Sequence, residues 1–90
     1  MKQATDGKPF YMWYVYIIKS IKSQYRYIGS TNDLDRRLKE HNSGICKSTS
    51  PYKPFEVLAY IAVNNKTKGI ELERYLKTGS GAAFLKKRIL

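Results

Sequence analysis

Ninety residues suffice for one compact domain, of a size that buries a smaller share of its surface than larger domains do. Seventeen Lys and Arg against seven Asp and Glu leave a formal charge of +10, which argues for polyanions as partners, nucleic acid first and an acidic membrane surface second. The single cysteine, Cys46, excludes an internal disulfide and a zinc knuckle; it reads as a loop or packing residue in a reducing, cytoplasmic setting.

Residues 1–11, MKQATDGKPFY, mix polar residues with Gly7 and Pro9, show no helical or strand period, and read as a flexible leader ahead of a single domain over 12–90. The apolar run FYMWYVYII at 10–18 is too short to span a bilayer, and lysines follow it with no small-residue cleavage site. Its alternation and its aromatic and β-branched content instead predict a strand near 13–19. YRYIGS predicts a second strand near 25–29, and the short polar link between them makes an antiparallel pair. Along these strands Tyr14 and Tyr16 point to one face while Val15 and Ile17 point to the other, and Tyr25 and Tyr27 share a side. Each tyrosine is either a packing aromatic with its hydroxyl in solvent or part of a row of functional hydroxyls.

STNDLDRRLKEHN supplies N-cap candidates in Ser30, Thr31 and Asn32, then acidic and then basic residues, the charge order that a helix dipole favours, and predicts a helix near 33–42. SGICKSTSPYKPF, with two prolines and several small polar residues, is a loop. FEVLAYIAV predicts a third, buried strand near 55–63, and NNKTK a turn. Ile70, Leu72 and Leu76 suit a helix near 67–77; TGSG breaks it, and AAFLKKRIL starts a short basic helix near 81–88. The expected fold is α+β, a small three-stranded antiparallel sheet flanked by helices in the order β-β-α-β-α-α.

Three groups of residues carry possible chemistry. Gly29 closes the second strand, where a missing side chain permits either a turn or a close approach to the backbone. Arg37 and His41, four residues apart on a helix, lie on one face, while Arg36 and Lys39 point elsewhere. Arg37 is then either a solvated charge or a phosphate ligand, and His41 either a helix-end cap or a site residue. On the second helix Glu73 falls within the stripe of Ile70 and Leu76, and a core-side carboxylate needs a partner, whether a divalent cation, an arginine or a cap donor.

The tripeptides YVY at 14–16 and YIG at 27–29, followed by STNDLDRRLKEHN and then ELERYLKTGSG, are similar to the motifs of the GIY-YIG nuclease superfamily, and most closely to its small stand-alone bacterial members. The resemblance covers roughly 12–88 and departs from the pattern at Tyr14, which stands where glycine gives the family its name. It implies metal-dependent phosphodiester cleavage, with Tyr16, Tyr27, Arg37 and His41 as catalytic residues, Gly29 ending the second motif, and Glu73 holding one Mg²⁺ or Mn²⁺. In that scheme Tyr27 positions or deprotonates the attacking water, Arg37 neutralises charge growing on the phosphate, and His41 and Tyr16 orient water or relay protons.

The expected partner is nucleic acid, most directly DNA, recognised structure-selectively or with weak sequence selectivity because phosphate contacts carry no sequence information. Lys47 and Lys53 in the loop, and Lys77, Lys86, Lys87 and Arg88 towards the C-terminus, either extend a basic track for the backbone or simply solubilise the surface. A rival reading is a catalytically silent nucleic-acid-binding module that keeps the fold and charge. No long basic amphipathic helix supports a peripheral membrane protein.

Overall fold

The computed structural model describes residues 12–90, so the leader expected over 1–11 lies outside the described residues. Strands β1 (Trp13–Ser20), β2 (Arg26–Thr31) and β3 (Phe55–Val63) form one antiparallel sheet in the order β2-β1-β3. Helices α1 (Leu34–Ser43), α2 (Lys66–Leu76) and α3 (Gly79–Phe84) complete the α+β order β-β-α-β-α-α that the sequence predicts. A 3₁₀ turn over Ser50–Tyr52 precedes β3, and a wider π-type turn over Leu85–Ile89 prolongs α3.

β1 is central because it is apolar on both faces. Val15 and Ile17 pack with Leu76 and Leu85 under α2 and α3, joined by Ile28, Ala59 and Leu72. Tyr16 and Ile18 pack with Phe55 on the opposite face, joined by Tyr25, Tyr27, Leu34 and Leu38 under α1. Full burial of an aliphatic side chain contributes roughly 1.5–3 kcal/mol, so the unbroken buried run Tyr14–Ile18 ties both helix layers to one strand.

Two boundaries differ from expectation for a common reason. β2 continues through Ser30 and Thr31, which pair with Val15 and Tyr14, so neither residue caps α1. The cap is Asp33, whose carboxylate accepts from the Arg36 amide at 3.1 Å. The extra strand residues matter below, because they place Ser30 on the α2 face of the sheet and keep Gly29 inside the ladder. Gly44, at φ 87°, ends α1 in the left-handed conformation that glycine adopts without a Cβ penalty.

Candidate active site

The register sets the site. Tyr16 lies opposite Gly29 and Ile18 opposite Tyr27, so the side chain of Tyr16 crosses the edge strand directly over Gly29. A Cβ built on Gly29 would stand 2.5 Å from the Tyr16 hydroxyl oxygen and 2.9 Å from Cε2 of Tyr27. The close approach expected at Gly29 is thus made by the protein's own phenol. It leaves the Tyr16 and Tyr27 rings on one face with centroids 6.2 Å apart.

α1 carries His41 beneath both tyrosines, its ring 5.8 Å from Tyr16 and 5.1 Å from Tyr27. The imidazole is wholly buried, and each nitrogen has one partner: Nε2 lies 2.9 Å from the Tyr16 hydroxyl and Nδ1 lies 2.9 Å from Thr49 Oγ1. Thr49 fixes the tautomer. Its hydroxyl donates to the Cys46 carbonyl at 3.2 Å and has only one hydrogen, so it must accept from Nδ1–H. Nε2 is then bare and accepts the Tyr16 proton, and the phenol oxygen keeps its acceptor side for the Arg37 guanidinium.

The protonation states agree with this wiring. Burial, with Arg37 adding, holds His41 below its ordinary value, so it is neutral near pH 7. Burial pushes the Tyr16 hydroxyl up to about 12, against the lowering effect of the neighbouring Arg37 guanidinium. Arg37 donates through Nη1 to Glu40 at 2.8 Å, and that bond, with Tyr16 adding, raises it above its ordinary value. Arg36 turns to Asn32 at 3.2 Å and to the far oxygen of Glu40 at 3.5 Å, and is the more exposed of the two arginines.

Glu73 comes from α2, on the other face. Ser30 Oγ donates to its Oε1 at 2.7 Å, and Lys77, one turn on, holds Oε2 at 2.8 Å. The side-chain partners are therefore a lysine and a serine, neither of which was among those expected from the sequence. Burial pushes the carboxyl up, but Lys77 and Ser30 outweigh it and the group lies below its ordinary value. The ammonium of Lys77 also stands 5.7 Å from the centroid of the Tyr27 ring. It reaches round the edge of β2, so the candidate site straddles the edge strand.

The described residues contain no cluster of three or more His, Cys, Asp and Glu side chains suited to a metal ion. A lone carboxylate fits Mg²⁺ or Mn²⁺ of the kind that keeps most of its waters and takes a substrate phosphate as a further ligand. The donor set is therefore compatible with such an ion, which would contend with Lys77 for Oε2.

The GIY-YIG catalytic domain family matches residues 12–88. This chain belongs to that family. A UPF0213 protein of Clostridium perfringens (strain 13 / Type A) is 37% identical over 67 residues, covering 73% of this chain and 71% of that protein. The solution NMR structure of the UPF0213 protein from Bacillus halodurans is 32% identical, with a TM-score of 0.51, and covers 84% of this chain and 83% of that one. The family is one of nucleases, and a GIY-YIG domain implies nucleic-acid binding.

Of the basic residues singled out along the GIY-YIG chain, Lys77 is the one that reaches the site, through Glu73 and the Tyr27 ring. Lys47 and Lys53 are exposed on the loop before β3, with the Lys53 ammonium against Gly44. Lys86 lines, with Arg26, an apolar cleft of about 720 Å³ between β2 and the terminal turn, and Lys87 and Arg88 are exposed beyond it. No helix among the described residues is long and apolar enough to cross a membrane. Sequence reasoning passed over two side chains. Ser30 was assigned to a cap, although continuing the β2 alternation by two residues would have placed it beside Ile28. Thr49 left no local signal, because its role depends on the loop folding back under α1.

Proposed function

We propose that this GIY-YIG domain is a metal-dependent endonuclease that hydrolyses phosphodiester bonds in DNA. The observation that carries the reading is the Thr49–His41–Tyr16 chain, which commits the Tyr16 proton to His41 and presents an acceptor oxygen beside Arg37. A structural histidine could be satisfied by any donor and acceptor. Here both bonds are spent on fixing the hydrogen of one buried phenol beside Arg37.

In this scheme Tyr27 positions the attacking water, and the water's proton passes to Tyr16 as the Tyr16 proton passes to Nε2 of His41. Neutral, buried His41 has the bare nitrogen to receive it, and the cost of a buried imidazolium beside Arg37 returns the proton to solvent when product leaves. Arg37 swings from Glu40 to the phosphate and neutralises charge that grows as the new oxygen–phosphorus bond forms and the old one breaks. Glu73, with Ser30 holding its other oxygen, would ligate a bound Mg²⁺ or Mn²⁺. That ion supplies Lewis-acid stabilisation of the phosphoryl and leaving oxygens. Specificity at this core is structure-selective or weakly sequence-selective.

The test is cleavage of branched, flapped, single-stranded and duplex DNA with and without Mn²⁺, comparing the wild type with Glu73→Gln. Metal-dependent cleavage that Glu73→Gln abolishes, in a protein that still melts cooperatively and still binds DNA, is the expected result. Binding without cleavage on any substrate would favour the silent module. Loss of the fold in Glu73→Gln would make Glu73 a structural residue.

A further inference from the structure

Beyond the residues used above, the same face of the sheet carries an aromatic row that the chemistry does not require. From His41 the row passes to Phe55, with centroids 5.9 Å apart, then to Tyr25 at 6.3 Å, and ends on Tyr52, which is stacked on Tyr25 at 3.9 Å with an interplanar angle of 9°. Tyr25 is two residues from Tyr27 on the same side of β2, about 7 Å along the strand. Tyr52 is 36% exposed.

The platform is held rather than floppy. Tyr52 sits in the 3₁₀ turn, and Thr49 just before that turn is pinned to His41. Asn42 brackets the entry to β3 by accepting from the Phe55 amide at 2.6 Å and donating to its carbonyl at 3.3 Å. The Ile21 amide donates to the Pro54 carbonyl at 2.8 Å, which ties the turn to the end of the β1–β2 link. Lys53 follows Tyr52 in the chain and Lys22 follows Ile21 in the β1–β2 link, both exposed, whereas Arg26 lines the cleft on the opposite face of the sheet.

We infer that Tyr52, backed by Tyr25, is a stacking platform for an unpaired nucleobase next to the phosphate held at Tyr27 and Arg37, so that the preferred substrate is single-stranded or locally unpaired. Every base has a π-face, so a flat exposed aromatic on a strongly basic domain accepts unpaired nucleotides of any sequence. Paired bases keep their faces inside the duplex. The overall +10 charge favours a polyanion on this patch over an apolar protein partner. The inference rests on the nuclease reading for the position of the phosphate, and its test is separate from cleavage.

Binding is measured in EDTA by fluorescence anisotropy against oligothymidylate, an abasic oligomer of the same length, and a hairpin duplex. The wild type is expected to bind oligothymidylate about tenfold more tightly than the abasic strand. Tyr52→Ala should remove that difference and leave the abasic and duplex affinities unchanged, while Tyr52→Trp keeps it. Equal wild-type affinity for the thymidylate and abasic strands overturns the platform, as does a Tyr52→Ala loss that is uniform across all three probes. Base-dependent binding in a protein that cleaves nothing would sink the nuclease reading alone; metal-dependent cleavage with base-independent binding would sink the platform alone.

Discussion

The two halves of the candidate site lie on opposite faces of β2 and hold their charges differently. On the α1 face, His41, Tyr16 and Thr49 are buried, each hydrogen has one place to be, and burial keeps both titratable groups neutral. On the α2 face, Glu73 and Lys77 are a partly exposed ion pair whose partners can exchange with solvent ions. The buried half is built before any ligand arrives, whereas the open half holds a counter-ion that a ligand must replace. Arg37 stands between them: its guanidinium is about one-third exposed and is parked on Glu40.

The sharpest way to break this comparison is to remove Arg37. Its proposed role on the phosphate predicts that Arg37→Ala lowers the single-turnover cleavage rate about a hundredfold to a thousandfold, with little change in melting temperature. Arg36→Ala, which leaves the Arg37–Glu40 bond in place, should cost less than about fivefold, a loss restored by low salt. Equal losses, both rescued by low salt, would reduce the two arginines to phosphate anchors.

The buried half makes its own pH prediction. Tyr16 has a raised value in the folded state, so its contribution to stability is complete below the unfolded phenol's value near ~10 and disappears as pH rises through about 12. The two-unit gap corresponds to about 3 kcal/mol, an upper figure for a group with bound neighbours. Denaturant melts should therefore weaken steeply above pH ~10, and Tyr16→Phe should flatten that loss. His41 has the opposite sense, because its depressed value makes stability fall as pH drops below its ordinary range. An alkaline profile unchanged in Tyr16→Phe would mean that one of the other seven of the eight tyrosines governs it.

Gly29→Ala tests whether the edge strand is shaped by Tyr16. The added methyl meets the Tyr16 hydroxyl and ring within 2.5–2.7 Å, so one of the two must move. Overpacking of this kind typically costs about 1–3 kcal/mol. Part of the cost should vanish in the double variant with Tyr16→Phe, a coupling that two independent sites would not show. Strict additivity in the cycle would break the argument.

These variants also show what the sequence could and could not reveal. Strand alternation put Tyr14 with Tyr16 and Tyr25 with Tyr27, and helix spacing put Arg37 above His41, because both follow from backbone periodicity alone; that Tyr16 and Tyr27 share a face is set by the cross-strand register. The tautomer of His41 depends on Thr49, eight residues on in a loop whose path is set by tertiary contacts. The placement of Glu73 across the strand from the tyrosines depends on β2 running two residues longer than its turn-like composition suggests. The Tyr25–Tyr52 stack left no sequence signal, since it joins two segments that no periodic pattern links.

The smallest expected effect sharpens the exchangeable half. Lys77 holds Glu73 Oε2 at 2.8 Å, with the two side chains 47% and 22% exposed, so the pair falls in the class of partly exposed ion pairs that contribute about 0.2–1 kcal/mol. Lys77→Met removes that competition while keeping an unbranched side chain near Tyr27. Mn²⁺ titration, followed by broadening of the Glu73 and Ser30 amide resonances, should then reach its midpoint at up to about fivefold lower concentration than in the wild type. Lys77→Arg should behave as the wild type does, because it restores a cation on the same carboxylate. The Glu73 carboxyl should also titrate at higher pH in Lys77→Met, since Lys77 is the leading group that lowers it. A midpoint that does not move, alongside a carboxyl titration that does, would show that the ion binds without contesting Oε2 and that the ammonium serves the phosphate or the Tyr27 ring instead.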